Sequence, residues 1–175
     1  TVNSILTSGL SIQRKRHYHE YDTFFFFNDP EQGRLRYRED HFLSEKNEII
    51  NVRSRLTLIG ENREQYFPQE VMLSRSRFYA PATQSLRFYK EYFNPGNTVE
   101  VEKDRKRYLV SYKDTEIFIN VDTFIVPTLG SYLEIKSRTW SRLDAENKSK
   151  LVLELIELLG LKEKPIISKD YIELV

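Results

Sequence analysis

Arginine and lysine recur at every second position in four stretches of this chain. Arg34, Arg36 and Arg38 lie in GRLRYRED, and Arg53 and Arg55 in NVRSRLTLIG. Arg75 and Arg77 lie in VMLSRSRFY, and Lys103, Arg105 and Arg107 in EVEKDRKRYLV. A strand turns alternate side chains to one face, so each stretch presents a row of cations to one side. Taken singly, such a row is the solvent face of a half-buried sheet. Four rows in one small chain argue for more, because like charges across neighbouring strands repel. Converging rows need a polyanion to relieve them, and the guanidinium fork matches phosphate oxygens with paired, charge-assisted hydrogen bonds. The row at Lys103, Arg105 and Arg107 moves as a unit: a one-residue slip of register turns all three over.

A second group of residues lies further on. Glu134 and Lys136 share a strand phase in YLEIK, with Asp122 upstream. A carboxylate beside a phosphate-binding surface suits Mg²⁺, which takes one or two carboxylates and completes its shell with phosphate oxygens. Equally, Glu134 can pair with an arginine inside the sheet; the residues alone leave both readings open. His17, His19 and His41 lack a metal-ligand spacing and read as surface residues. No phosphate-binding glycine loop, dinucleotide fingerprint or nucleophile elbow is present. The 11 tyrosines and 11 phenylalanines fit sheet packing, with stacking on RNA bases as the competing use.

The elements that must carry these residues are mostly strands. Aromatic or alternating runs predict strands over 22–27, 34–40, 51–60, 71–80, 98–114, 115–124 and 131–140. A helix is expected over 83–93, stopped by Asn94-Pro95-Gly96, and a longer one over 142–159. The longer helix opens on Ser141 with Asp144 three residues on, carries Val152, Leu155, Ile156 and Leu159 on one face, and ends at Gly160. Residues 3–20 could hold a further helix. The sum is an α+β fold: an antiparallel sheet or barrel with helices packed outside.

The chain has 175 residues, 27 basic and 26 acidic, for a net charge of +1. That size suits one domain, and the near-neutral total argues against a protein that coats nucleic acid. The absence of cysteine excludes disulfides, a thiolate nucleophile and zinc–sulfur sites. No apolar run approaches the roughly 18 residues of a membrane span, and no signal peptide is visible. A cytoplasmic location without membrane association is the expectation.

In order along the chain, the motifs resemble those of the CYTH family: CyaB-type adenylyl cyclases, thiamine triphosphatases and inorganic triphosphatases, also called triphosphate tunnel metalloenzymes. YHEYDTFFFFNDPEQGRLRYRED is similar to the family's "DTYF…G-R-L-x-x-R" block, and RLTLIGE to its "L-T-x-K-G" strand. EKDRKRYLV resembles "K-x-R-x-x-Y", INVDTFIVPTLGSYLEIKSR resembles "L-D-x…L-G-x-[FY]-x-E-I-E", and SKDYIELV resembles the closing "K-x-S-Y-x-x-L-L". The likeness covers roughly residues 20–175. It implies an eight-stranded antiparallel barrel whose lumen grips a triphosphate, with Mg²⁺ or Mn²⁺ held by acids at one end. By position, Arg36, Arg38, Lys103 or Arg105, and Lys169 would grip phosphate. Asp122 and Glu134 would hold the metal or orient water, with Lys169 completing the catalytic set; beyond the resemblance, Arg34, Arg53, Arg55, Arg75 and Arg77 could bind phosphate and partly substitute for a metal, and Lys136 could contact phosphate directly.

Three departures stand out. The family's opening E-x-E-x-K strand is missing from TVNSILTSGLSIQRKR in this single domain over 1–175: either that strand lies before Thr1 or the site has lost half its metal ligands. Ile59 replaces the lysine before Gly60, and Lys136 replaces the second glutamate of E-I-E. At about 4 Å and an effective dielectric near 20, Lys136 would repel a divalent ion by roughly 8 kcal/mol. The expected ligand is a triphosphate-bearing small molecule: tripolyphosphate, thiamine triphosphate or a nucleoside triphosphate. The expected activity is metal-dependent hydrolysis of that ligand. The alternatives are a non-catalytic phosphate-binding module, an adenylyl cyclase, and RNA binding through the arginine rows.

Overall fold

A computed structural model describes residues 5, 9–29, 32–59, 71, 76–167 and 171–175. Seven strands form one antiparallel sheet: β1 (Ser11–Phe26), β2 (Arg34–Leu43), β3 (Ile49–Ile59), β4 (Ser76–Pro81), β5 (Asn97–Tyr112), β6 (Thr115–Val126) and β7 (Gly130–Lys136). Their order is β4-β3-β2-β1-β5-β6-β7. Two helices described in full join the sheet in an α+β fold, α1 (Leu86–Phe93) and α2 (Arg142–Leu158). No helix among the described residues is long and apolar enough to cross a membrane.

The expected eight-stranded closure does not occur among the described residues, where β4 and β7 end the sheet. Of the expected helix within 3–20, Ile5 is helical and residues 3, 4 and 6–8 lie outside the described residues, while residues 11–20 are strand instead. Their side chains alternate and find a partner strand on each side: β1 pairs with β2 from His17 to Phe26 and with β5 along its whole length. Central pairing explains the FFFF run. Phe24 packs on one face and Phe25 on the other, and a strand covered on both faces reads as a continuous apolar run. The last strand ends at Lys136, short of the expected 140.

Local chemistry sets the connections. Lys113 and Asp114, at φ 47° and 58°, form a two-residue turn whose left-handed pair matches the twist of the flanking strands, and so fixes the β5–β6 register at Tyr112 opposite Thr115. Ser85 caps α1 and Ser141 caps α2, each hydroxyl accepting from the backbone N–H three residues on. Asn94 stops α1 in the left-handed region at φ 42°. Beyond α2, Gly160 at φ 67° supplies the left-handed residue that ends a helix without a Cβ penalty.

Both helices pack on the same side of the sheet. On α1, Tyr89 covers Phe25, Leu35 and Tyr37. On α2, Leu155 joins the cluster of Tyr108, Val110, Ile117 and Ile119, as does Leu159 just past its end. Between these apolar patches the same side carries the three histidines. None is a bare surface residue: His17 bonds Asp104 at 2.5 Å, His19 bonds Glu102 at 2.7 Å and His41 bonds Glu39 at 2.6 Å. The opposite side of the sheet is left for the charges.

Candidate functional site

Antiparallel register puts cross-strand partners on one face, and the pairings bring the cation rows together. Asp22 lies opposite Arg38, and Arg38 opposite Arg55. Glu20 lies opposite Lys103. Arg105 lies opposite Asp122, and Asn120 opposite Glu134. At the centre of this face stand eight cations: Arg36, Arg38, Arg53, Arg55, Lys103, Arg105, Arg107 and Lys136. Five carboxylates stand among them, Glu20, Asp22, Asp40, Asp122 and Glu134, which leaves an excess of three positive charges. Arg77 belongs to β4, but its side chain, together with Arg75 and Lys169, lies outside the described residues.

The centre is enclosed. Glu20, Asp22, Arg38, Lys103, Arg105 and Asp122 are each at most 4% exposed. A charge buried to that degree must be paired, and all but Lys103 stand in close ion pairs. Arg38 forks onto Asp22, Nε to Oδ1 at 2.6 Å and Nη2 to Oδ2 at 2.5 Å, while its Nη1 reaches Glu20 Oε2 at 2.9 Å. Arg105 forks onto Asp122 in the same way, with Nε donating to Oδ1 at 2.6 Å and Nη2 to Oδ2. Its Nη2 also donates to Glu134 Oε2 at 3.1 Å. Asp40 is shared by Arg53 at 2.7 Å and Arg55 at 2.9 Å.

Three cations are held less firmly. Arg36 Nε and Arg55 Nε are buried without a hydrogen-bond acceptor, and the nearest carboxylate oxygen to Arg36 Nε, on Asp22, is 3.9 Å away. The Lys103 ammonium sits 3.5 Å from Glu20, 3.8 Å from Asp22 and 4.0 Å from Asp122, beyond good hydrogen-bond length to each. Its other neighbours are the rings of Tyr171 and Phe124, at 5.0 and 5.6 Å, the distances of cation–π contacts.

These surroundings set the protonation states. Burial opposes the charge on Glu20, yet Arg105, Arg38 and Lys103 outweigh it and hold the carboxyl well below its ordinary range. Asp22 is lowered too, with burial overcome by Arg38 and Arg36. Glu134 falls far down: burial is outweighed by Lys136, Arg105 and Lys103. Lys103 moves the other way from most lysines, down to about 8, through burial first and then the positive charges of Arg105 and Arg38. A tripolyphosphate bound here would be held by the protonated amine. Its affinity is therefore expected to fall by up to about tenfold per pH unit above pH 8, the cost of adding one proton on binding. Calorimetric titration from pH 6.5 to 9.5 reads that slope, and Lys103→Met should flatten it.

Along the strands the two ends of this face differ. At one end Phe24, Val101 and Phe124 pack with Ile172 and Tyr171 from a short 3₁₀ turn (Tyr171–Glu173). At the other end Arg107 lies over Tyr18, and Arg16 and Arg53 lie over Phe42. The face therefore presents arginines and aromatic rings at one end and an apolar wall at the other.

The divalent ion implied by the family resemblance needs carboxylate oxygens that other groups have not taken. Both oxygens of Asp122 lie in the fork of Arg105. Glu134 Oε2 accepts from Arg105, from Asn120 at 2.5 Å and from Lys136 at 3.2 Å. Among the described residues no three His, Cys, Asp or Glu side chains converge as a metal site. As arranged, these residues do not fit Mg²⁺ or Mn²⁺; Glu134 takes the ion-paired place that its neighbouring arginine offers.

Sequence reasoning missed Glu20, Asp22, Asp40 and Asn120. The first two carried a signal, because HEYD places two carboxylates at alternate positions of one strand.

No family model matches the chain, and no curated protein matches it. Solved structures do. A conserved hypothetical protein from Pyrococcus furiosus superposes with a TM-score of 0.67 at 18% identity, over 99% of this chain and 91% of that one. Two proteins from Pyrococcus horikoshii give TM-scores of 0.66 and 0.59 at 17% identity, over 99% of this chain and 91% and 87% of theirs. At such identities the likeness is one of fold.

Proposed function

We propose that this protein binds a small molecule bearing a triphosphate on the charged face of its sheet. The observation that carries the reading is the excess of cations on this face, with Arg36 Nε and Arg55 Nε buried and lacking an acceptor. A buried donor left unmet costs about 1–3 kcal/mol, more when charged, and phosphate oxygens would meet both. The resemblance to the CYTH family supports the same ligand class, and an eighth strand closing the sheet into a barrel is the finer architecture it adds. Tripolyphosphate, thiamine triphosphate and nucleoside triphosphates are the candidate ligands.

Hydrolysis of the terminal phosphoryl group with Mg²⁺ or Mn²⁺ is the activity the resemblance adds. The ion-paired state of Asp122 and Glu134 favours the second reading, a binding module without turnover. Calorimetry with each of the three ligands in EDTA, followed by a phosphate-release assay with Mg²⁺ or Mn²⁺, separates them. Saturable binding in EDTA without phosphate release is the expected result. Absence of binding to all three ligands, with and without metal, removes the proposal.

A further inference from the structure

The two strongest cations of the charged face already hold anions, and the geometry of that holding has a consequence for any ligand. Arg38 and Arg105 each present a guanidinium edge, and each edge is filled by one carboxylate in a two-bond fork, Asp22 on Arg38 and Asp122 on Arg105. This is the edge and the geometry with which arginine binds a phosphate. Glu20 spans the gap, 2.9 Å from Arg38 and 3.5 Å from Arg105.

We infer that Asp22 and Asp122 are built-in competitors of the ligand, occupying the arginine forks that a polyphosphate must take over. The inference rests on the proposed polyanion site and adds how that site sets its affinity. The donors open to a phosphate without any exchange are Arg36 Nε and Arg55 Nε, which lack an acceptor, and the Lys103 ammonium, 3.5 Å from its nearest carboxylate. Gaining Arg38 or Arg105 requires a carboxylate to leave its fork or to share the guanidinium. Asp22 has Lys103 at 3.8 Å and Asp122 has Lys103 at 4.0 Å, so either carboxylate retains a cationic neighbour after release. The forks keep Arg38 and Arg105 neutralised in the empty site and confine tight binding to anions with enough charge to outbid an aspartate. A single phosphate is a poor rival; a chain of three engages several cations at once.

The prediction is opposite in sign to that for a structural acid. Asp122→Asn and Asp22→Asn keep the side-chain shape but give each arginine a weaker, neutral acceptor. In EDTA, each variant is expected to bind tripolyphosphate at least about tenfold more tightly than the unsubstituted protein, the difference between a charged and a neutral partner for one guanidinium. Each should also bind inorganic monophosphate measurably. The unsubstituted protein gives a second readout that needs no variant: addition of tripolyphosphate should shift the Nε–Hε NMR signals of Arg38 and Arg105. Binding by the unsubstituted protein with equal or weaker binding by both variants overturns the competitor role and leaves the triphosphate reading standing. Binding that leaves both Nε–Hε signals in place does the same. Failure of all three proteins to bind tripolyphosphate removes the site reading and this inference together.

Discussion

Replacing Arg105 by alanine is expected to destabilise the protein by about 3–5 kcal/mol, the range for breaking a buried ion pair from one side. Arg105 is 2% exposed and is the only guanidinium within ion-pair reach of Asp122 among the described residues. It also contacts Glu20 at 3.5 Å and Glu134 at 3.1 Å. Without it, Glu20 keeps Arg38 at 2.9 Å and Glu134 keeps Lys136 at 3.2 Å, but the cation left nearest the buried Asp122 is Lys103, at 4.0 Å. The size of the effect follows from burial and not from ion pairing as such. Arg87 pairs with Glu91 at 2.8 Å on the exposed face of α1, with side chains 88% and 67% exposed, and Arg87→Ala should change stability by under about 0.5 kcal/mol. Urea unfolding followed by circular dichroism compares the two. A loss below about 1 kcal/mol for Arg105→Ala would show that the forked pair is not the buried unit described above.

Acid should unfold this protein steeply. Glu20 and Asp22 both have folded-state values below those of the unfolded chain, because Arg105 and Arg38 outweigh the burial that opposes their charge. The folded state then binds fewer protons than the unfolded state. The stabilisation from each group is complete above the ordinary carboxylate range, near pH 4–4.5. It is lost as pH falls through that range toward the lowered folded values. Each titrating group removes about 1.4 kcal/mol per pH unit, so the two together give a slope of up to about 2.7 kcal/mol per unit, to which Glu134 adds. Urea midpoints measured from pH 7 to pH 3 should be flat at first and drop below about pH 4.5. Glu20→Gln should make the drop shallower. A midpoint that stays level down to pH 3 would mean that these carboxylates are not held in ionised form by the arginines.

Much of the fold is legible in the chain because its signals are local. Alternation in GRLRYRED and NVRSRLTLIG marks β2 and β3, Lys113-Asp114 supplies the tight turn, and Ser141 and Gly160 bracket α2. The even spacing of Arg36 and Arg38, and of Lys103 and Arg105, likewise predicts shared faces whatever the partners are. What misleads is the segment before residue 20. Its cations and histidines look helical or solvent-exposed when read alone, and only pairing with β2 and β5 makes it the central strand.

The carboxylates show the limit most clearly. Asp122 and Glu134 look like metal ligands when a phosphate surface is imagined beside them, and nothing in their own neighbourhood says that an arginine from β5 reaches them first. Glu20 and Asp22 look like two acids in an aromatic run until β1 is laid between Arg38 and Lys103. By itself the sequence determined which side chains share a strand face, since that follows from the two-residue period of an extended backbone. The tertiary structure decided which acid sits in which arginine's fork. That choice depends on register between strands far apart in the chain, and on burial deep enough to favour an arginine partner for each of these acids.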